Sequence, residues 1–169
     1  MAHERPGRIE RRLSAIMAAD VAGYSRLMHN DEEATHAALT ALLADAVEPV
    51  IAEHGGHIVK NTGDGILATF DGPARAIRCA QAIASSVKSL GIEVRAGLHT
   101  GEVELRGEDV TGIGVTIAAR VMDAAGPGEV VVSSTVKDLV AGSGLRFADR
   151  GMHALKGVPD EWRLFAVER

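Results

Sequence analysis

At 169 residues the chain has the length of one domain, enough to bury a core without disulfide staples. It is 46% apolar but only 3% aromatic, so Ala, Val, Ile and Leu must build that core. A net charge of −5 argues against broad electrostatic binding of nucleic acid, the lone Cys79 excludes a disulfide framework and a thiolate metal site, and no apolar run is long enough to insert in a membrane.

Residues 1–11 are charged, carry no apolar signal-peptide segment and read as a mobile arm, leaving residues 12–169 as the domain. A cytoplasmic location is expected. Residues 13–20 are short and almost continuously apolar, which suits a buried strand. Asn30 and Asp31 can cap the next element, a helix on which Leu39, Leu42, Leu43, Val47, Val50 and Ile51 recur at helical spacing. Pro49 should kink it, and Gly55-Gly56 should end it. Strands over 57–61 and 66–70 flank a turn at Gly63-Asp64-Gly65 and predict a hairpin.

Pro73 suits the first turn of a second helix, whose inner face carries Ala76, Ala80, Ile83, Val87 and Leu90. Val94, Ala96 and Leu98 alternate with Glu93, Arg95 and His99 as in a half-buried strand, and Val103 and Leu105 continue the sheet after Gly101. Residues 107–114 read as a glycine-rich loop, followed by a helix with Val115, Ala118, Val121 and Met122. A strand over 129–132, a short helix capped by Ser133, and strands near 146–149 and 162–167 complete the chain. The expected fold is α+β: a ferredoxin-like split βαβ core (βαββαβ), helices on one sheet face, and C-terminal αβ additions.

Chemistry concentrates in three segments. In the first, Asp20 ends a buried strand before the turn Val21-Ala22-Gly23-Tyr24-Ser25, whose backbone N–H groups can cradle phosphate. In the second, Lys60 precedes Asp64 at the hairpin tip. Each acid alone reads as an ordinary turn residue. In a split βαβ core, however, the first strand lies beside the hairpin, so Asp20 and Asp64 should meet at one edge. Two carboxylates so close need a cation between them, and oxygen-only ligands favour Mg²⁺ or Mn²⁺. The third segment carries Asp109, Thr116 and Arg120. Arg120 reads either as a surface ion pair or as a charge stabiliser for a transferring phosphate.

In combination, residues 18–25, 60–65 and 109–120, with the closing run 151–165, resemble the catalytic domain of the class III adenylate/guanylate cyclases, especially compact bacterial members. The resemblance implies that Asp20, Asp64 and the carbonyl of Val21 hold two divalent cations. It implies that Lys60 and Asp109 read adenine and that Arg120 stabilises the transition state. The substrate would be ATP, closed to cyclic AMP and pyrophosphate, in a homodimer whose sites are shared between subunits. Two positions depart from the family. Thr116 stands where Asn is usual, which implies turnover slower by roughly a hundredfold if positioning is lost. At the phosphate-binding lysine the register offers Trp162 or Arg163, with Arg163 as the substitute. Two other readings stay open: a degenerate cyclase serving as a nucleotide-binding or dimerisation module, and another metal-dependent phosphoryl-transfer enzyme on the same core.

Overall fold

The computed structural model describes residues 10–22, 37–38, 40–41, 43–61 and 65–169. The expectations for Gly23, Tyr24, Ser25, Asn30, Asp31, Leu39, Leu42, Gly63 and Asp64 therefore lie outside the described residues. β1 (Glu10–Val21) starts before the expected strand and forms the spine of the sheet. On one edge it pairs antiparallel with β3 (Gly65–Phe70), and β3 closes the predicted hairpin with β2 (His57–Asn61). On the other edge it pairs along its whole length with β4 (Val94–Arg106). The order β2-β3-β1-β4 is the ferredoxin-like core that the sequence predicts. β6 (Val130–Ser133), β8 (Glu161–Val167) and β7 (Phe147–Ala154) extend the sheet beyond β4, and β5 (Asp109–Thr111) pairs with the far end of β4.

β4 continues through Gly101 as expected, because a 12-residue β1 offers hydrogen-bond partners across it. Other expectations are corrected. Residues 107–114 are not all loop: Gly107, at φ 63, turns the chain so that β5 folds straight back on β4. Helix geometry changes just before Pro49, the residue expected to kink it. A π-helical turn over Leu43–Val47 precedes α1 (Glu48–Glu53), which has Pro49 in its first turn, where a missing N–H does no harm.

The two helices of the core share one sheet face, as expected, and a helix of the C-terminal addition covers the other. α1 and α2 (Pro73–Lys88) cover Ala15, Met17, Ala19, Ala96 and Leu98, and α2 contributes Ala76, Ile77, Ala80, Ile83 and Val87 to that core. α3 (Ile113–Asp123) packs on the opposite face against Ile16, Ala18 and Val103. Arg95 and His99 therefore lie on a covered face rather than a solvent face. Ser133 precedes α4 (Ser134–Leu139) without a side-chain capping bond. Its hydroxyl is engaged with His99 instead, at 2.8 Å.

Candidate active site

At the C-terminal end of β1, Asp20 has Gly65 of β3 as one cross-strand partner and Arg95 of β4 as the other. Alternation puts Asp20 and Arg95 on the face that α3 covers. Arg95 holds the carboxylate with two parallel bonds, Nε donating to Oδ1 at 2.7 Å and Nη2 to Oδ2 at 3.1 Å. Both side chains are mostly shielded from water, and the hydrogen bond to Asp20 is the leading reason that Arg95 is held still more firmly in its charged form. Val21 is buried and closes the strand, and the Ala22 N–H donates to the Glu93 carbonyl at 2.8 Å. Asp64 is outside the described residues, but Gly65, the residue after it, lies directly across from Asp20. The described donor at this edge is the Asp20 carboxylate, balanced by Arg95. Such a hard donor fits Mg²⁺ or Mn²⁺.

A chain of charges leads from Asp20 into α3. Arg95 Nη2 lies 3.7 Å from Asp123 Oδ1, while Asp123 Oδ2 accepts from Arg120 Nη1 at 3.1 Å. Arg120 Nε donates to the Lys156 carbonyl at 3.1 Å. Thr116, Arg120 and Asp123 recur at i, i+4 and i+7 and so share one stripe of the helix. That stripe can approach the sheet because residue 97 is glycine. A Cβ there would lie 2.1 Å from the Met122 nitrogen and 2.7 Å from the Ala118 carbonyl oxygen, both backbone atoms of α3.

Lys60 and Asp109 also meet. Lys60 Nζ lies 2.9 Å from Asp109 Oδ1, joining β2 to β5. The cause is a β-bulge at Val59: Ile58 pairs with Ala68, but Lys60 pairs with Leu67, so Lys60 takes the face of Leu67 instead of the face that simple alternation would give it. Lys60's hydrogen bond is the first cause of the lowered pKa of Asp109, with the Val110 N–H adding to it. Among the described residues no ion pair or side-chain hydrogen bond joins Lys60 and Asp109 to Asp20, Arg95, Asp123 and Arg120. β5 pairs with the end of β4 remote from Arg95.

Arg163 goes elsewhere. It lies on the sheet face of Phe165, opposite that of Leu164 and Ala166, and its Nη1 donates to Asp149 at 2.7 Å. Trp162, on the other face, packs edge-on against His99 with ring centroids 5.4 Å apart, and its Nε1 donates to the Pro159 carbonyl. His99 is 5% exposed, and burial pushes its pKa down to about 4. Arg95, Asp123 and His99 carry no site role in the sequence reading, and Ser133 only that of a helix cap.

The family model for the adenylate and guanylate cyclase catalytic domain matches residues 11–169. The chain belongs to this family. It is 39% identical over 159 residues to "Putative adenylate cyclase 3" of Rhizobium meliloti (strain 1021), an alignment covering 89% of this chain and 27% of that protein. It is 36% identical over 151 residues to an uncharacterized protein of Mycobacterium tuberculosis, covering 80% of the chain and 53% of that protein. The cyclase domain thus spans about a quarter to a half of these relatives. Among solved structures, the adenylate/guanylate cyclase/hydrolase from Silicibacter pomeroyi superposes with a TM-score of 0.87 at 34% identity, covering 96% of this chain and 99% of that one. The adenylyl cyclase CyaB from P. aeruginosa shares the fold, with a TM-score of 0.85 at 21% identity, covering 96% of each chain. No helix among the described residues is long and apolar enough to cross a membrane.

Proposed function

We propose that this cyclase domain closes ATP to cyclic AMP with release of pyrophosphate, at sites shared between two copies of the chain. The observation that carries the adenine preference is the Lys60–Asp109 pair at 2.9 Å. A cationic donor and an anionic acceptor side by side match adenine, whose N1 accepts and whose exocyclic amine donates. Guanine presents the reverse pattern.

In this reading Lys60 and Asp109 release each other and bind the base edge. Asp20, Asp64 and the Val21 carbonyl hold two divalent cations, Mg²⁺ or Mn²⁺, which would lower the pKa of the ribose 3′-hydroxyl and offset the triphosphate charge. The Arg95 guanidinium, lying on Asp20, is placed to pair with phosphate oxygens at that edge. Arg120 supplies charge to the α-phosphate and Thr116 a hydroxyl to the ribose, while residues 23–25 would offer backbone N–H groups, that of Ala22 being taken by the Glu93 carbonyl. Arg163 is engaged with Asp149 on the other sheet face and takes no part in the proposal. In the shared arrangement one copy supplies Asp20 and Asp64, and its partner supplies Lys60, Asp109 and Arg120. Among the described residues no ion pair joins the Lys60–Asp109 pair to Asp20 within one chain, which supports that arrangement. Arg120, linked to Asp20 through Arg95 and Asp123, would turn to the partner's site. The domain assignment to residues 12–169 belongs to the same proposal, with β1 beginning at Glu10.

The test incubates purified protein with ATP or GTP and Mn²⁺ and identifies the products. ATP should give cyclic AMP in strong preference to any cyclic GMP, and Asp20→Asn should abolish the product without unfolding the chain. Mixing Asp20→Asn with Arg120→Ala chains should restore one working site per heterodimer. Equal turnover of both nucleotides would undo the adenine reading. Tight ATP binding with no product would leave a nucleotide-binding module in its place.

A further inference from the structure

Asp123 is an acid in the last position of α3, against the negative end of the helix dipole, where a carboxylate is unfavourable. Its surroundings offset that penalty. Oδ1 faces Arg95 at 3.7 Å and Oδ2 accepts from Arg120 at 3.1 Å, so one carboxylate is divided between two guanidinium groups. The first of these groups is also the cation on Asp20. Arg95 therefore lies between two acids: it makes a close bidentate contact with Asp20 and a longer one with Asp123.

That geometry conflicts with metal binding as it stands. Arg95 uses both oxygens of Asp20, and a divalent cation at the same carboxylate would place positive charge against the guanidinium. For Asp20 to accept a cation, Arg95 must slacken its hold and find negative charge nearby. Among the described residues, the second acid within ion-pair range of it is Asp123.

We propose that Asp123 is a positioning residue that takes Arg95 off Asp20 when the cation binds, giving up part of its hold on Arg120 as it does so. This rests on the metal-binding reading of Asp20 above. Without Asp123, Arg95 stays on Asp20 as an internal competitor, and the cation must displace it unaided.

The experiment measures Mn²⁺ binding to the purified chain without nucleotide, by electron paramagnetic resonance of free Mn²⁺. The variants are Asp123→Asn, Asp123→Glu, Arg95→Gln, the Asp123→Asn/Arg95→Gln double variant and Asp20→Asn, each with its melting temperature. Asp123→Asn should raise half-saturation by about fivefold, the scale of one partly exposed ion pair, and Asp123→Glu should recover most of the loss. In the Arg95→Gln background the same Asp123→Asn change should have little effect, since Asp123 acts through Arg95. An unchanged half-saturation in Asp123→Asn, or an equal effect with and without Arg95, overturns the role of Asp123 alone. If wild type and Asp20→Asn bind Mn²⁺ alike, the metal reading of Asp20 falls and this proposal falls with it.

Discussion

The buried imidazole of His99 makes folding stability depend on pH in a calculable way. It is enclosed between the Ser133 hydroxyl and the edge of Trp162, and its pKa is pushed down to about 4, whereas an unfolded histidine titrates near 6.5. Between these values the unfolded chain takes up a proton that the folded chain excludes. Stability contributed by the neutral ring is thus complete above about pH 6.5 and is lost as pH falls toward 4. At pH 5 the loss is about 2 kcal/mol relative to pH 7.5. For a domain of this size that lowers the melting temperature by about 4–8 °C. Carboxylates titrate in the same range, so the measurement is a difference: melting curves of wild type and His99→Gln at matched pH from 5.0 to 7.5. Glutamine keeps a polar group for Ser133 but cannot titrate. The wild type should lose about 2 kcal/mol more than the variant over this interval. A pH-independent difference, or a His99 ring titrating near 6.5 in NMR spectra of the folded chain, would refute the reasoning.

Two further outcomes follow from packing. Gly97→Ala forces a methyl group to within 2.1 Å of the α3 backbone, so the helix must move outward. It should cost about 3 kcal/mol in urea unfolding, the upper end of ordinary overpacking, and a change within 0.5 kcal/mol, the usual scale for a neutral surface substitution, would show that α3 is not so closely seated. Cys79 is fully buried on α2 and its thiol is pushed up to about 12 by burial, so a thiol reagent should label it only when the chain opens. Rapid stoichiometric labelling in native buffer would contradict that.

Local signals decided what could be read from the sequence. Pro73 and Gly91 bracket α2, and the β2–β3 hairpin is announced by alternation around a Gly-Asp-Gly turn. Lys60 and Asp109 were legible as a pair only through the family resemblance, yet they do meet. Elements whose reason is remote in sequence were misread. β5 has three residues and no hydrophobic pattern of its own, and it exists because β4 lies beside it. Arg95 and His99 look like the wet side of a strand, since charge and imidazole usually mark solvent. What buries them is α3 together with Trp162, Asp20 and Ser133, residues brought in from far along the chain. Ser133 reads as a cap because capping is local, whereas its actual partner is 34 residues away.

The extra residue at Val59 makes aim a matter of counting. Were the bulge flattened so that Val59 paired with Leu67, Lys60 would fall opposite Ile66 and its ammonium group would emerge beneath the sheet, on the side of α1 and α2, with every side chain chemically unchanged. Where Lys60 reads the base, selection therefore depends on the bulge as much as on the lysine, a dependence that comparing residue identities column by column would overlook.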